Sequence, residues 1–189
     1  MKRLMEAVKK QKKGKAPGID EITAECVKNL PAGHRDALLY LLNLMYDHAY
    51  TPPNWQVAVT ILLHKKGDRM TIGNYRPITL LKSLFKTWEK ILSTMLSEAL
   101  GGRHPPPNQF GSLPGTSAPV AILVLRSLLR LAGRAGLPVY ATQIDLNKAY
   151  NRVNRNLLWA KLHTMGVPAH LIKCIESTYT HCRVHPHRG

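Results

Sequence analysis

Residues Val139 to Arg155 read VYATQIDLNKAYNRVNR, and the reading of this stretch decides the fold class. A short apolar run, Val139 to Ile144, carries the pattern of a strand and delivers one carboxylate, Asp145, before the chain turns polar and turn-prone. A strand that ends on a carboxylate places a metal ligand at the rim of a sheet. No aspartate follows Asp145, and Glu176 is the only acid after it, so carboxylate partners are scarce.

Helices flank that strand on both sides. On the N-terminal side, Leu38, Leu39, Leu41, Leu42, Met45, Tyr46 and Ala49 predict a largely buried helix from about Arg35 to Tyr50, stopped by Thr51-Pro52-Pro53. Leu84, Phe85, Trp88, Ile91, Leu92, Met95, Leu96 and Ala99 predict a core helix over 82–100, ended by Gly101-Gly102. A stiff proline-rich connector leads to a further apolar helix over 119–131 carrying Arg126 and Arg130. On the C-terminal side, Asn154 caps a helix with Leu157, Leu158 and Leu162 on one face, and Pro168 opens another. Strand signals are fewer. Gln56 to His64 reads as a strand with Val57, Val59, Ile61 and Leu63 on one face. The fold class expected is therefore α+β, helix-rich, with small antiparallel sheet elements.

Charge bounds the partners. The 189 residues carry 27 Lys+Arg against 11 Asp+Glu, a formal net charge of +16. Such an excess repels itself unless a polyanion is near, which makes nucleic acid the first partner to consider and an anionic membrane surface the second. No uninterrupted apolar run is long enough for a spanning helix, and the Lys-rich N-terminus lacks the apolar core of a signal peptide. Three scattered cysteines do not make a disulfide framework and fit a reducing, intracellular compartment. Residues 1–14 read as a basic arm, either solvated and partly disordered or contacting phosphates.

Three further segments bear on chemistry. Lys15-Ala16-Pro17-Gly18-Ile19-Asp20 is a turn, with Asp20 placed to cap a short helix through Ile22, Cys26 and Val27. The strand to His64 runs into Lys65-Lys66-Gly67-Asp68-Arg69, which is either a solvated hairpin tip or a mobile cationic loop suited to a triphosphate. Arg76, held extended between Tyr75 and Pro77, suits bidentate phosphate recognition or a local structural pairing. Cys174, His181, Cys182, His185 and His187 cluster in the tail; zinc is conceivable there, but no CxxC pair is present and a structural use fits better.

Four segments in this order resemble the reverse transcriptase domain of LINE-type, non-LTR retrotransposons. They are KAPGID (Lys15 to Asp20), the strand with KKGD and NYRPITLL (Trp55 to Leu81), NQFG with its small-residue continuation (Asn108 to Ser117), and QIDLNKAYNRV (Gln143 to Val153). Group II intron reverse transcriptases share the general plan less closely. The resemblance covers the chain from about residue 12, and implies a fingers region over 15–135 and a partial palm over 136–189. It implies that Lys65, Lys66 and Arg76 meet the triphosphate of the incoming nucleotide. It implies that Asp145 is the first catalytic aspartate and a metal ligand, joined at the metal by the backbone carbonyl of Leu146. Tyr150 matches the aromatic residue beneath the sugar that crowds a 2′-hydroxyl. The family's cofactor is Mg²⁺ or Mn²⁺; its partners are an RNA template, a DNA primer and deoxynucleoside triphosphates.

The carboxylate inventory then limits activity. Nucleotidyl transfer holds two divalent ions about 3.5–4 Å apart, each wanting oxygen ligands. The family's second metal element is a Tyr-x-Asp-Asp turn C-terminal to the first aspartate, and no Asp-Asp occurs in this chain. The resemblance thus implies a fragment ending before that turn, inactive as a polymerase alone, or alternatively a non-catalytic RNA- or DNA-binding module. Departures from the family pattern at Asn151, Ser112, Leu113, Thr116 and Val120 point the same way. A palm strand without its neighbours leaves apolar faces uncovered, so oligomerisation or aggregation is expected of the isolated chain.

Overall fold

The computed structural model describes residues 2–101, 108–111, 115–146 and 149–186. Ten regular elements follow in order: α1 (Lys2–Lys9), α2 (Ala24–Lys28), α3 (Ala32–Asp47), β1 (Val57–His64), β2 (Tyr75–Leu80), α4 (Ser83–Ala99), α5 (Ala118–Arg134), α6 (Arg155–Thr164), α7 (Ala169–Ser177) and β3 (Arg183–Pro186). Short 3₁₀ turns precede β1 (Pro53–Gln56), lead into β2 (Ile72–Asn74) and follow the Asp145 segment (Ala149–Arg152). The class is α+β, as the pattern of long apolar helices around few strands requires.

The core is organised on α4. Its apolar residues recur every third or fourth position, so Phe85, Trp88, Ile91 and Leu92 share one buried stripe. Leu4 of α1, Leu42 and Met45 of α3, and Leu171, Ile172 and Cys174 of α7 complete the cluster. Each large side chain so buried contributes about 1.5–3 kcal/mol. The N-terminal segment is a helix rather than a disordered arm. Leu4, Ala7 and Val8 fall on one face of α1 and dock on α4, while its lysines remain in water. Amphipathic spacing outweighs local charge there, because the apolar face finds a partner.

KAPGID is held against the start of α4. A Cβ on Gly18 would lie 2.7 Å from the backbone nitrogen of Lys82 and 2.8 Å from its Cα, so only glycine lets the two backbones approach. Gln11 straps the same corner, its amide donating to the Ser83 carbonyl (3.0 Å) and to Thr87 Oγ1, and Ser83 Oγ donates to the Ile22 carbonyl (2.6 Å). The cap of α2 is Thr23 rather than Asp20: Thr23 Oγ1 accepts from the Cys26 N–H (3.3 Å), whereas Asp20 accepts weakly from Ile22 N–H (3.4 Å). Gly18→Ala is expected to cost about 1–3 kcal/mol by overpacking. An unchanged urea midpoint would show that this turn is not docked in solution.

β1 pairs antiparallel with β2, from Val59↔Leu80 to His64↔Tyr75, and parallel with β3, from Val57↔Arg183 to Thr60↔Pro186. The sheet is therefore mixed, in the order β2-β1-β3. The buried side of β1 is that of Ala58, opposite to the Val57, Val59, Ile61 and Leu63 face, which stays half-buried or exposed. The Val139 to Ile144 run is a correction to the expectation: these residues are described and form no strand. An extended segment becomes a strand only through ladder partners, and none of the described residues pairs with it. Asp145 accordingly sits on exposed coil rather than at a strand's end.

One acid is placed to make stability depend on pH. Glu89 on α4 lines a small pocket of about 170 Å³ with Leu96, Ile175, Thr178 and Tyr179. Burial pushes its carboxyl up from 4.5 to about 6, against the pull of Lys86 one turn earlier. Tyr179 is itself raised by burial and by Glu89, and Arg155 sits over its ring, 5.0 Å from the centroid. Between those two pH values the folded chain holds a proton that the unfolded chain has released. The stability this contributes is complete below the unfolded pKa and lost as pH rises through the folded one. Glu89→Gln is expected to remove that slope and to raise stability by about 1–2 kcal/mol at pH 7.5. Chemical denaturation of both proteins from pH 4 to 8 checks it; parallel profiles would contradict the assignment.

Candidate nucleotide-binding cleft

The β1–β2 hairpin builds one wall of a cleft. Its tip, 65–74, is closed by the Lys65 N–H donating to the Asn74 carbonyl (2.8 Å), and Gly67 takes the left-handed conformation (φ +83°) that the turn needs. Asp68 folds the loop onto itself: its carboxylate accepts from the Met70 N–H (3.0 Å) and from Thr71 Oγ1 (3.2 Å). Tyr75 Oη donates to the Arg69 carbonyl (2.9 Å), and His64 Nε2 donates to the Gly67 carbonyl (3.0 Å). The tip is thus a hydrogen-bonded hairpin turn. Its one carboxylate is turned inward, which leaves Lys65, Lys66 and Arg69 exposed and without an ion-pair partner among the described residues.

The second wall is the Ala149–Arg152 turn. Between the two lies an open cleft of about 960 Å³, to which the hairpin contributes Lys65, Tyr75, Arg76 and Ile78 and the turn contributes Tyr150 and Asn151. Three of the residues expected at the nucleotide site, Lys65, Arg76 and Tyr150, therefore line one cavity although Arg76 and Tyr150 are far apart in sequence. Tyr150 is 87 % exposed, an aromatic face presented to the cleft with nothing packed on it. Lys66 stands on the tip outside the lining, and Asp145 and Leu146 lie on the exposed segment before the turn, also outside it. Tyr75 and Asn151 enter the lining without having been singled out; Tyr75 was legible as the aromatic neighbour that holds Arg76.

The donor set does not fit a two-metal centre. Among the described residues no three His, Cys, Asp or Glu side chains converge. Asp145 is exposed and adds one carboxylate where two divalent ions need several. The tail likewise brings no metal set together among the described residues, and His187 lies outside them. Cys174 is fully buried, its thiol directed at the Tyr46 carbonyl (3.4 Å) and pushed by burial up to about 11, while Cys182 donates to the Thr178 carbonyl (3.2 Å). Ser112, Leu113 and Pro114 of the NQFG continuation lie outside the described residues.

Positive charge also collects around α1 and α2. Lys2, Lys9, Lys13 and Lys28 border a shallow groove of about 500 Å³ between α1 and α2. The ion pair found among the described residues is Arg3–Glu98 (2.7 Å), on the surface, so most of the net charge is uncompensated locally. No helix among the described residues is long and apolar enough to cross a membrane.

With this geometry in place, the relatives are informative. Residues 63–188 match the family model described as reverse transcriptase (RNA-dependent DNA polymerase). The chain belongs to that family, and its relatives place it with the reverse transcriptase domains of LINE-type, non-LTR elements. It is 31% identical over 164 residues to a probable RNA-directed DNA polymerase from transposon BS of Drosophila melanogaster, across 84% of this chain and 18% of that protein. It is 29% identical over 182 residues to the transposon TX1 uncharacterized 149 kDa protein of Xenopus laevis, across 93% of this chain and 13% of that protein. It is 23% identical over 164 residues to the retrovirus-related Pol polyprotein from type-2 retrotransposable element R2DM of Drosophila melanogaster, across 87% and 15%. The chain thus spans less than a fifth of the length of each of these relatives.

Proposed function

We propose that this chain supplies the nucleotide-gripping part of an RNA-directed DNA polymerase of a non-LTR retrotransposon, and does not polymerise by itself. Residues 15–135 act as fingers and 136–189 as the opening of the palm. Arg76, Lys65 and Lys66 hold the triphosphate of an incoming deoxynucleotide, whose negative oxygens suit their rigid and flexible cations respectively. Tyr150 lies beneath the sugar. Asp145 and the Leu146 carbonyl are first ligands for Mg²⁺ or Mn²⁺, which serves the reaction only when further carboxylates join them. The observation that carries this reading is the single cleft shared by Lys65, Arg76 and Tyr150. RNA template and DNA primer are the macromolecular partners, which puts the working place inside the cell.

Primer extension on a poly(rA)·oligo(dT) substrate with Mg²⁺ or Mn²⁺ tests the inactivity. Incorporation by the chain is expected to match an Asp145→Ala control, and incorporation well above that control would sink the proposal. A second reading, a non-catalytic module that grips RNA or an RNA–DNA hybrid, is favoured by the lysines bordering the α1–α2 groove, which form no ion pair among the described residues. It requires log K to fall linearly with log salt, since binding releases counterions. A flat salt response would remove it. Self-association is also part of the proposal: α5 buries none of its residues, and Ile122, Leu123, Leu125, Leu128 and Leu131 are each more than half exposed. Light scattering at increasing concentration is expected to show species larger than a monomer.

A further inference from the structure

We infer that Asn74 is the positioning residue for the basic tip, joining its two arms so that Lys65 and Arg76 face the cleft together. The inference rests on the proposal that this tip meets a triphosphate, and adds the residue that gives it its shape.

Asn74 works through three contacts. Its backbone carbonyl accepts from the Lys65 N–H (2.8 Å), closing the hairpin one residue beyond the His64↔Tyr75 pair. Its side-chain Nδ2 donates to the Asp68 carbonyl (2.8 Å), crossing the loop between the arms. The same amide fills the space beside Gly67, where a Cβ would come within 2.9 Å of Nδ2. Asn74 is half-buried, whereas 62–73 are all exposed. An exposed loop with three cations in five residues repels itself, so its order must come from bonds within it. Asp68 and His64 each tie the loop to a near neighbour, and Tyr75 crosses it to the Arg69 carbonyl; Asn74 crosses it to the Asp68 carbonyl, also closes on the Lys65 N–H, and directly precedes Tyr75-Arg76. A disordered tip would have to pay the ordering entropy when a triphosphate binds; a braced one has paid it already.

Limited trypsinolysis reads the tip directly, because the bonds after Lys65, Lys66 and Arg69 are all tryptic sites. In Asn74→Ala, initial cleavage there is expected to rise about five- to tenfold, the size of losing one hydrogen bond from a local opening equilibrium. Cleavage after Lys86 and Lys90 in α4, and the thermal midpoint, should not move. Asn74→Asp, which keeps the size but loses the donor, should not rescue. Addition of dTTP with Mg²⁺ is expected to protect the tip bonds in the wild type, and to need about tenfold more nucleotide in Asn74→Ala. Unchanged cleavage in Asn74→Ala overturns the inference, as does equal protection by dTTP in wild type and Asn74→Ala. Faster cleavage in the variants with no dTTP protection of the wild type overturns instead the triphosphate reading of the cleft.

Discussion

Trp88→Ala is expected to lower the stability of this chain by about 3–5 kcal/mol, most of the margin a domain of this size has. Trp88 stands at the middle of α4, 1 % exposed, where α1, α3 and α4 meet. Truncation would empty a large volume that helices fixed by their other contacts cannot collapse to fill. It would also remove the indole N–H that donates to Thr51 Oγ1 (3.1 Å). Thr51 is itself buried and shares that hydroxyl with Ser177 Oγ (2.8 Å), so the loss extends to α7. Trp88→Phe separates the two contributions: it keeps most of the bulk and loses the donor, and about 1–2 kcal/mol is expected. Urea unfolding followed by far-UV circular dichroism measures both. A loss below about 1.5 kcal/mol in Trp88→Ala would mean that α1 and α3 do not close over α4 in solution.

What the sequence made legible, and what it hid, follows from where the stabilising partners are. α4 was readable because its periodicity alone specifies one buried stripe; α3 and α5 were placed within a few residues by their apolar spacing, and α6 and α7 by Asn154 and Pro168 at their starts. The Asn154 cap was legible too, its side chain accepting from the Leu157 N–H (3.3 Å). The Val139 to Ile144 run had the local composition of a strand, but strand pairing is a property of two segments, and composition says nothing of whether the second is there. The order of α1 was hidden by its lysines, since only the apolar positions Leu4, Ala7 and Val8 face α4. The parallel partner of β1 was hidden for a different reason. Arg183 to Pro186 is fully exposed and carries no apolar alternation, so nothing in the tail marks a strand.

The candidate cleft was half legible. Arg76 stood out because Pro77 fixes the backbone around it, and Tyr150 through its motif. That the two line one cavity needs the hairpin and the Ala149–Arg152 turn to be brought together in space, which no local pattern encodes. That no aspartate follows Asp145 among these 189 residues, by contrast, was countable in the sequence. A site with cations for phosphates and one exposed acid can bind a nucleotide more readily than it can activate a 3′-oxygen.

Gln56→Leu is the other change expected to be severe, at about 3–5 kcal/mol, for the loss of hydrogen bonds rather than of volume. Gln56 is 2 % exposed at the entry to β1, and its amide is fully engaged. Its Nε2 donates to two carbonyls, that of Thr51 at 3.1 Å and that of Ser177 at 3.0 Å. Oε1 accepts from the His181 N–H at 2.8 Å. Leucine would leave two carbonyls and one N–H without this partner, the Thr51 bond in the buried interior and the Ser177 and His181 bonds at its part-buried edge, each costing about 1–3 kcal/mol where water cannot replace it. The consequence is local as well as global, because His181 is two residues ahead of β3. Amide exchange in 183–185 should therefore speed up more than exchange in β2, which the Gln56 amide does not touch. Gln56→Glu sharpens the test. It retains the acceptor for His181 but points a second oxygen at two carbonyls and buries a charge. Its carboxyl should be raised by burial, so its stability should be nearest to wild type at acid pH and fall as pH rises through that elevated value. If Gln56→Glu were as stable as wild type at neutral pH, the Gln56 amide could not be the tie between β1 and the C-terminal strand.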